Sequence, residues 1–148
     1  MSFHLLQDAF KRRSFHVSPF LVLGDPTPEL SVQLAKAAVG EGAGMLEIGF
    51  PYGDPVADGP AIQAADLRAL RGGTSTKKAI ALLGQIREAC PDTPLNLLVY
   101  GNLVHARGYD RFCLRPPSIA LPSSAIGEAE RPRRQERSDT LYHRSRWL

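Results

Sequence analysis

One acid set inside an apolar strand-like run constrains this chain more than any other feature. Met45–Pro60 reads MLEIGFPYGDPVADGP. Met45, Leu46, Ile48 and Phe50 make the short apolar run of a buried parallel strand, and Glu47 interrupts it. The run breaks into a loop punctuated by Pro51, Gly53, Pro55, Gly59 and Pro60, which carries two further acids, Asp54 and Asp58. A strand that delivers a carboxylate and then opens into a stiff acidic loop is how an α/β protein builds an active site.

The elements around this stretch alternate. Ser2–Arg13 has Phe3, Leu6 and Phe10 at helical spacing and basic residues at its C-terminal end, which predicts a short cap helix. Val17–Leu23 predicts strand one, stopped by Gly24-Asp25-Pro26. Thr27 is placed to cap a helix beginning at Pro28, with Leu30, Leu34, Ala37 and Ala38 on one face up to Gly40–Gly44. Met45–Ile48 is strand two, followed by its loop to Pro60 and a short helix over Ala61–Leu70. Residues Thr74 to Thr76 offer caps for a second crossover helix carrying Ala79, Leu82, Leu83, Ile86 and Ala89. Leu95–Tyr100 is strand three, and Asn102–Cys113 reads as a loop leading into another helix.

This βαβαβ order suits an open doubly wound sheet or a barrel of parallel strands. No glycine-rich dinucleotide fingerprint follows a strand, since Gly40-x-Gly42-x-Gly44 precedes strand two. Asp25, Asp54, Asp58 and Asn102 instead fall after strand ends, where barrel enzymes keep their chemistry. At 148 residues the chain has room for one domain, well short of the roughly 250 of a complete eight-fold barrel.

Apolar residues at 43% and charged residues at 22% match globular usage, so most of the chain has the composition to fold. The net charge of +3 is localised: residues 1–113 carry 11 basic and 11 acidic side chains, and residues 114–148 carry seven arginines against four acids. The latter stretch, rich in Pro, Ser and Arg and without periodicity, is expected to be a disordered basic tail beyond a folded unit over residues 1–113. The abrupt change near residue 113 suggests a truncation or frameshift. Arg131–Arg137 lack interleaved aromatics, which argues against nucleic-acid binding. Cys90 and Cys113 match no metal or redox spacing, and the four histidines are scattered, so no metal site is expected. With neither a secretory signal nor a membrane span in sight, the expected location is cytoplasmic.

The blocks PFLVLGDP (Pro19–Pro26), LEIGFPYGDPVADGPAIQ (Leu46–Gln63) and LLVYGNLV (Leu97–Val104), in this order and spacing, resemble the tryptophan synthase alpha subunit. The resemblance covers roughly residues 3–113, and the tail matches nothing in it. It implies a partial (β/α)8 barrel of about three βα units, from a family that cleaves indole-3-glycerol phosphate to indole and glyceraldehyde 3-phosphate. Matched residue by residue, the catalytic pair falls on Glu47 and Asp58. Phe20, Leu98 and Tyr100 fall on positions lining the substrate, with ordinary barrel core as the alternative for Leu98. Asp54, Pro55 and Asn102 fall on the face toward the beta subunit, with which the family forms a heterotetramer of two alpha and two beta chains. No cofactor is expected on this chain, because pyridoxal phosphate would belong to the beta subunit.

Cleavage requires protonation at indole C3, loss of a proton from the glycerol hydroxyl and stabilisation of positive charge at the indole nitrogen. A carboxyl flanked by Leu46 and Ile48 is expected to be desolvated and to move protons near neutrality, and Asp58, on a wetter loop, to stay ionised and accept the indole N–H. Three bland alternatives stand beside these roles: Glu47 neutralised by a buried base, Asp58 as a turn or cap residue, and Glu47, Asp54 and Asp58 as a magnesium cluster. Barrels of this kind grip phosphate with loops after strands seven and eight. Losing about three charge-assisted bonds of roughly 1.5–3 kcal/mol each lowers affinity more than about 10³-fold. This chain is therefore expected to be inactive alone, or to be a non-catalytic fragment or pseudogene product that at most binds a beta subunit.

Overall fold

The computed structural model describes residues 2–12, 17–108 and 112. The tail over 114–148 and the proposed change of reading near residue 113 lie outside the described residues. In chain order the elements are α1 (Ser2–Arg12), β1 (Phe20–Val22), α2 (Pro28–Gly40), β2 (Leu46–Gly49), α3 (Pro60–Arg71), α4 (Thr76–Ala89), β3 (Leu95–Leu98) and α5 (Gly101–Arg107). The three strands form one parallel sheet in the order β1-β2-β3, the start of a (β/α) barrel. Among the described residues no helix is long and apolar enough to cross a membrane.

Local chemistry sets most of these boundaries. The Thr27 hydroxyl accepts the Leu30 N–H at 3.2 Å and Pro28 opens α2, where its missing N–H is harmless. The Ser75 hydroxyl caps α4 by accepting the Lys78 N–H at 3.3 Å. Arg87 closes the α4–β3 turn by donating to the carbonyls of Cys90, Pro91 and Thr93 at 3.3, 3.1 and 2.8 Å. The strands are shorter than the apolar runs suggest. Val17 and Leu23 lie outside β1, although the Leu23 N–H still donates to the Gly49 carbonyl at 3.0 Å and the Val17 carbonyl accepts the Gly44 N–H at 3.1 Å, and Val99 and Tyr100 lie beyond β3. Helix α5 begins at Gly101, directly after Tyr100, where a loop from Asn102 was expected.

Alternation sorts the strand residues onto two faces. Leu46, Ile48, Leu95 and Leu97 are buried against Ala35 of α2 and Ala79, Leu82, Leu83 and Ile86 of α4. The register pairs Phe20 with Glu47 and Glu47 with Asn96, so these three share the opposite face, with Val22, Gly49 and Leu98 two positions on. Helix α3 covers only the β1 edge of that face, where Ala65, Ala69 and Ile62 pack on Val22 and Phe20. At the end of β1, Gly24 has φ +86° and a Cβ there would meet Thr74 Oγ1 at 2.2 Å, so glycine lets the α3–α4 turn close on the strand end.

Candidate active site

Glu47 sits mid-sheet on β2, on the face away from α2 and α4. Its neighbours Leu46 and Ile48 are fully buried, and Glu47 itself is only half-buried, because the pleat turns it toward the less covered face. This corrects the expectation of an acid sunk in apolar packing. Among the described residues no hydrogen bond or ion pair engages its carboxylate, so the alternative of a buried acid neutralised by a base is not what the structure shows. Phe20 lies beside it in register, and its ring leans over β2: a Cβ at Gly49 would come within 2.6 Å of Phe20 Cζ. Leu98, opposite Gly49 on the same face, is 47% exposed and so is not core in the described chain.

Asp58 lies at the other end of the β2–α3 loop. The Val56 N–H donates to the Asp54 carbonyl at 2.9 Å and the Asp58 N–H to the Pro55 carbonyl at 3.0 Å, two tight turns in succession. Gln63 on α3 donates to the carbonyls of Pro55 and Asp58 at 3.3 and 2.8 Å, clipping the loop to the helix it precedes. Gly59 occupies the cap position of α3 without a side-chain bond, so the Asp58 carboxylate is not spent on capping. Instead its Oδ2 accepts the Tyr100 hydroxyl at 2.8 Å, across 42 residues of sequence.

Tyr100 is fixed from two further directions. Its hydroxyl oxygen accepts the Ala57 N–H at 3.4 Å, and its ring stacks on Tyr52 with centroids 4.3 Å apart and planes 20° apart. Asn102 Nδ2 in turn donates to the Tyr52 hydroxyl. Burial, and then the hydrogen bond to Asp58, push the Tyr100 pKa above its usual value, so the phenol keeps its proton and acts as a donor. Asp58 Oδ1 receives no hydrogen bond among the described residues. Such a carboxylate, oriented through one oxygen, can accept an N–H from a ligand through the other.

Beneath this loop lies an acid that the sequence reading did not single out. Asp66 on α3 is 3% exposed. Its pKa is raised to about 6, first by burial and then by the negative charge of Asp58. Its position was legible as an anomaly, since Ile62, Ala65, Asp66 and Ala69 recur on one helical face and three of the four are apolar. Asp25 after β1 and Arg68 on α3 form a two-pronged ion pair at 2.8 and 2.9 Å. It ties the first strand end to the same helix.

The structure thus joins Asp58, Tyr100 and Asn102 through Tyr52, and places Glu47, Phe20 and Leu98 on one sheet face. No hydrogen bond or ion pair links Glu47 to Asp58 among the described residues. Asp54 is exposed and Pro55 half-buried, at the turns of the loop. Within the described residues no three His, Cys, Asp or Glu side chains converge to hold a metal ion.

The model of one family, described as tryptophan synthase alpha chain, matches residues 6–118, running past the expected limit at residue 113. The tryptophan synthase alpha chain of Aeromonas hydrophila is 53% identical over 110 residues, and that of Cronobacter sakazakii 44% over 110 residues; each alignment covers 74% of this chain and 41% of the relative. Among solved structures, tryptophan synthase subunit alpha of Legionella pneumophila superposes with a TM-score of 0.69 at 37% identity, covering 75% of this chain and 42% of that one. An aminoacrylate-bound tryptophan synthase from Mycobacterium tuberculosis superposes at 0.68 and 31% identity, covering 74% and 46%. The chain therefore spans about two fifths of the length of the curated relatives it matches.

Proposed function

The chain belongs to the tryptophan synthase alpha chain family, and we propose that its site is built for the lyase step of cytoplasmic tryptophan biosynthesis, the cleavage of indole-3-glycerol phosphate to indole and glyceraldehyde 3-phosphate. The observation that carries this reading is Asp58, held by the Tyr100 hydroxyl at 2.8 Å with its second oxygen open. In the proposed step Glu47 gives a proton to indole C3 and takes one from the glycerol hydroxyl, and Asp58 accepts the indole N–H as positive charge develops on the ring. Phe20, Leu98 and Tyr100 supply the apolar wall.

The 148-residue chain by itself is proposed not to turn over. Among the described residues the three parallel strands leave the Glu47 face open to water. A second reading, favoured by the exposed Asp54 loop, is a fragment that only docks on a beta subunit through Asp54, Pro55 and Asn102. Pyridoxal phosphate would then lie wholly on that partner.

Two measurements test these readings. The chain alone is expected to release no indole from indole-3-glycerol phosphate. A chimaera in which residues 1–113 replace the matching part of the Aeromonas hydrophila alpha chain is expected to release it, with Glu47→Gln and Asp58→Asn each lowering kcat by about 10²-fold or more. A chimaera indifferent to both substitutions overturns the catalytic reading. Stimulation of the serine-dependent activity of a purified beta subunit by the unmodified chain, without cleavage, supports the docking reading.

A further inference from the structure

We propose that Tyr52 is a positioning residue: held through its hydroxyl by Asn102 and stacked on Tyr100, it keeps the Tyr100 phenol on the Asp58 carboxylate. Strand pairing supplies the arrangement. Gly49 and Leu98 are partners at the ends of β2 and β3, and the Phe50 N–H donates to the Leu98 carbonyl at 3.0 Å, so the two segments leave the sheet side by side. Tyr52 and Tyr100 follow closely on those strand ends, and their rings meet with centroids 4.3 Å apart and planes 20° apart. Tyr100 then touches the β2–α3 loop a second time. Near the end of the loop its hydroxyl accepts the Ala57 N–H at 3.4 Å and donates to Asp58 Oδ2 at 2.8 Å. The stretch from Tyr52 to Asp58 is therefore a strap closed at both ends over one phenol.

A phenol bound only at its tip can still turn about its side-chain torsions, and the carboxylate bound to it turns with it. Stacking removes that freedom, because a ring face fixes the plane of its neighbour. A loose ring would fix nothing. Asn102 Nδ2 donates to the Tyr52 hydroxyl and holds the ring from its far end. Asn102 lies in the first turn of α5 and Tyr100 at its cap, so both tyrosines are tied to one helix end, Tyr100 through the backbone and Tyr52 through this bond. A phenylalanine at position 52 would still stack but would offer the amide no acceptor. Tyr52 thus acts on Asp58 through Tyr100. That Asp58 is the reacting group rests on the reading proposed above; that Tyr52 seats Tyr100 does not.

The test uses the full chain labelled with ¹³Cζ-tyrosine, with the Tyr100 resonance assigned by Tyr100→Phe. Asp58→Ala removes the acceptor and marks where the resonance of an unbound Tyr100 phenol falls. Tyr52→Leu is expected to move the resonance most of the way to that position. The direct effect of losing a neighbouring ring is subtracted by making Tyr52→Leu in the Asp58→Ala background, where no bond remains to be lost. Tyr52→Phe and Asn102→Ala remove the same hydrogen bond and keep a ring at position 52, so each is expected to move the resonance part of the way, with no further shift when they are combined. A Tyr100 resonance that keeps its wild-type position in Tyr52→Leu, or that Tyr52→Phe moves as far as Tyr52→Leu does, overturns the proposal. Where Tyr52→Leu does not fold, the milder variants decide: a resonance left in place by both Tyr52→Phe and Asn102→Ala overturns it. The measurement contains no substrate, so it fails independently of the chimaera experiment.

Discussion

The sheet presents two faces made from alternate residues of the same three strands, and they are finished to different degrees. Toward α2 and α4, Leu46, Ile48, Leu95 and Leu97 are all at most 4% exposed. On the other side, Glu47 and Phe20 are half-buried, and Asn96 and Leu98 are exposed. The first face is complete because the βαβ connections return their own helices to cover it. The second face in a barrel is closed by more strands, and among the described residues α3 screens it at the β1 edge. Stability and proposed chemistry are therefore separated across one strand thickness, and substitutions one residue apart should behave differently.

The largest effect is expected on the closed face. Ile48→Ala removes buried methyls from between two helices and should lower stability by about 2–5 kcal/mol in urea unfolding; a loss below about 1 kcal/mol would mean the two faces do not differ as described. Next comes Asp66→Asn. The folded pKa of Asp66 is raised from 3.8 to about 6, so wild-type stability is fully present below about pH 4 and declines as pH rises through 6. Asn should match the wild type at pH 4 and exceed it at pH 8 by up to about 3 kcal/mol. Unfolding curves at the two pH values check both the sign and the window.

Gly49→Ala is a smaller perturbation. The new methyl meets the Phe20 ring at 2.6 Å on the open face, where the ring has room to yield, and should lower stability by about 1–2 kcal/mol. Smallest is Glu47→Gln, expected to change stability by less than about 0.5 kcal/mol although it sits next to Ile48. A large loss in that variant would show that Glu47 is structural, and would erase the contrast on which its proposed role depends.

Local chemistry made much of this legible from residues alone. Thr27 and Ser75 sit within one turn of the amides they cap, the strand runs show as short apolar stretches between Pro and Gly, and the Met45–Pro60 stretch announces acids where a strand ends. Those signals depend on neighbours a few positions away, so the sequence by itself determined the element order, the family likeness and the candidates Glu47 and Asp58. Only the tertiary structure decided that Glu47 faces away from the helices, that Tyr100 takes hold of Asp58 across 42 residues, and that α3 docks with Asp66 inward. Burial and long-range hydrogen bonds are properties of how elements pack. A one-residue change of face or a rotation of α3 would alter them without changing a single local pattern.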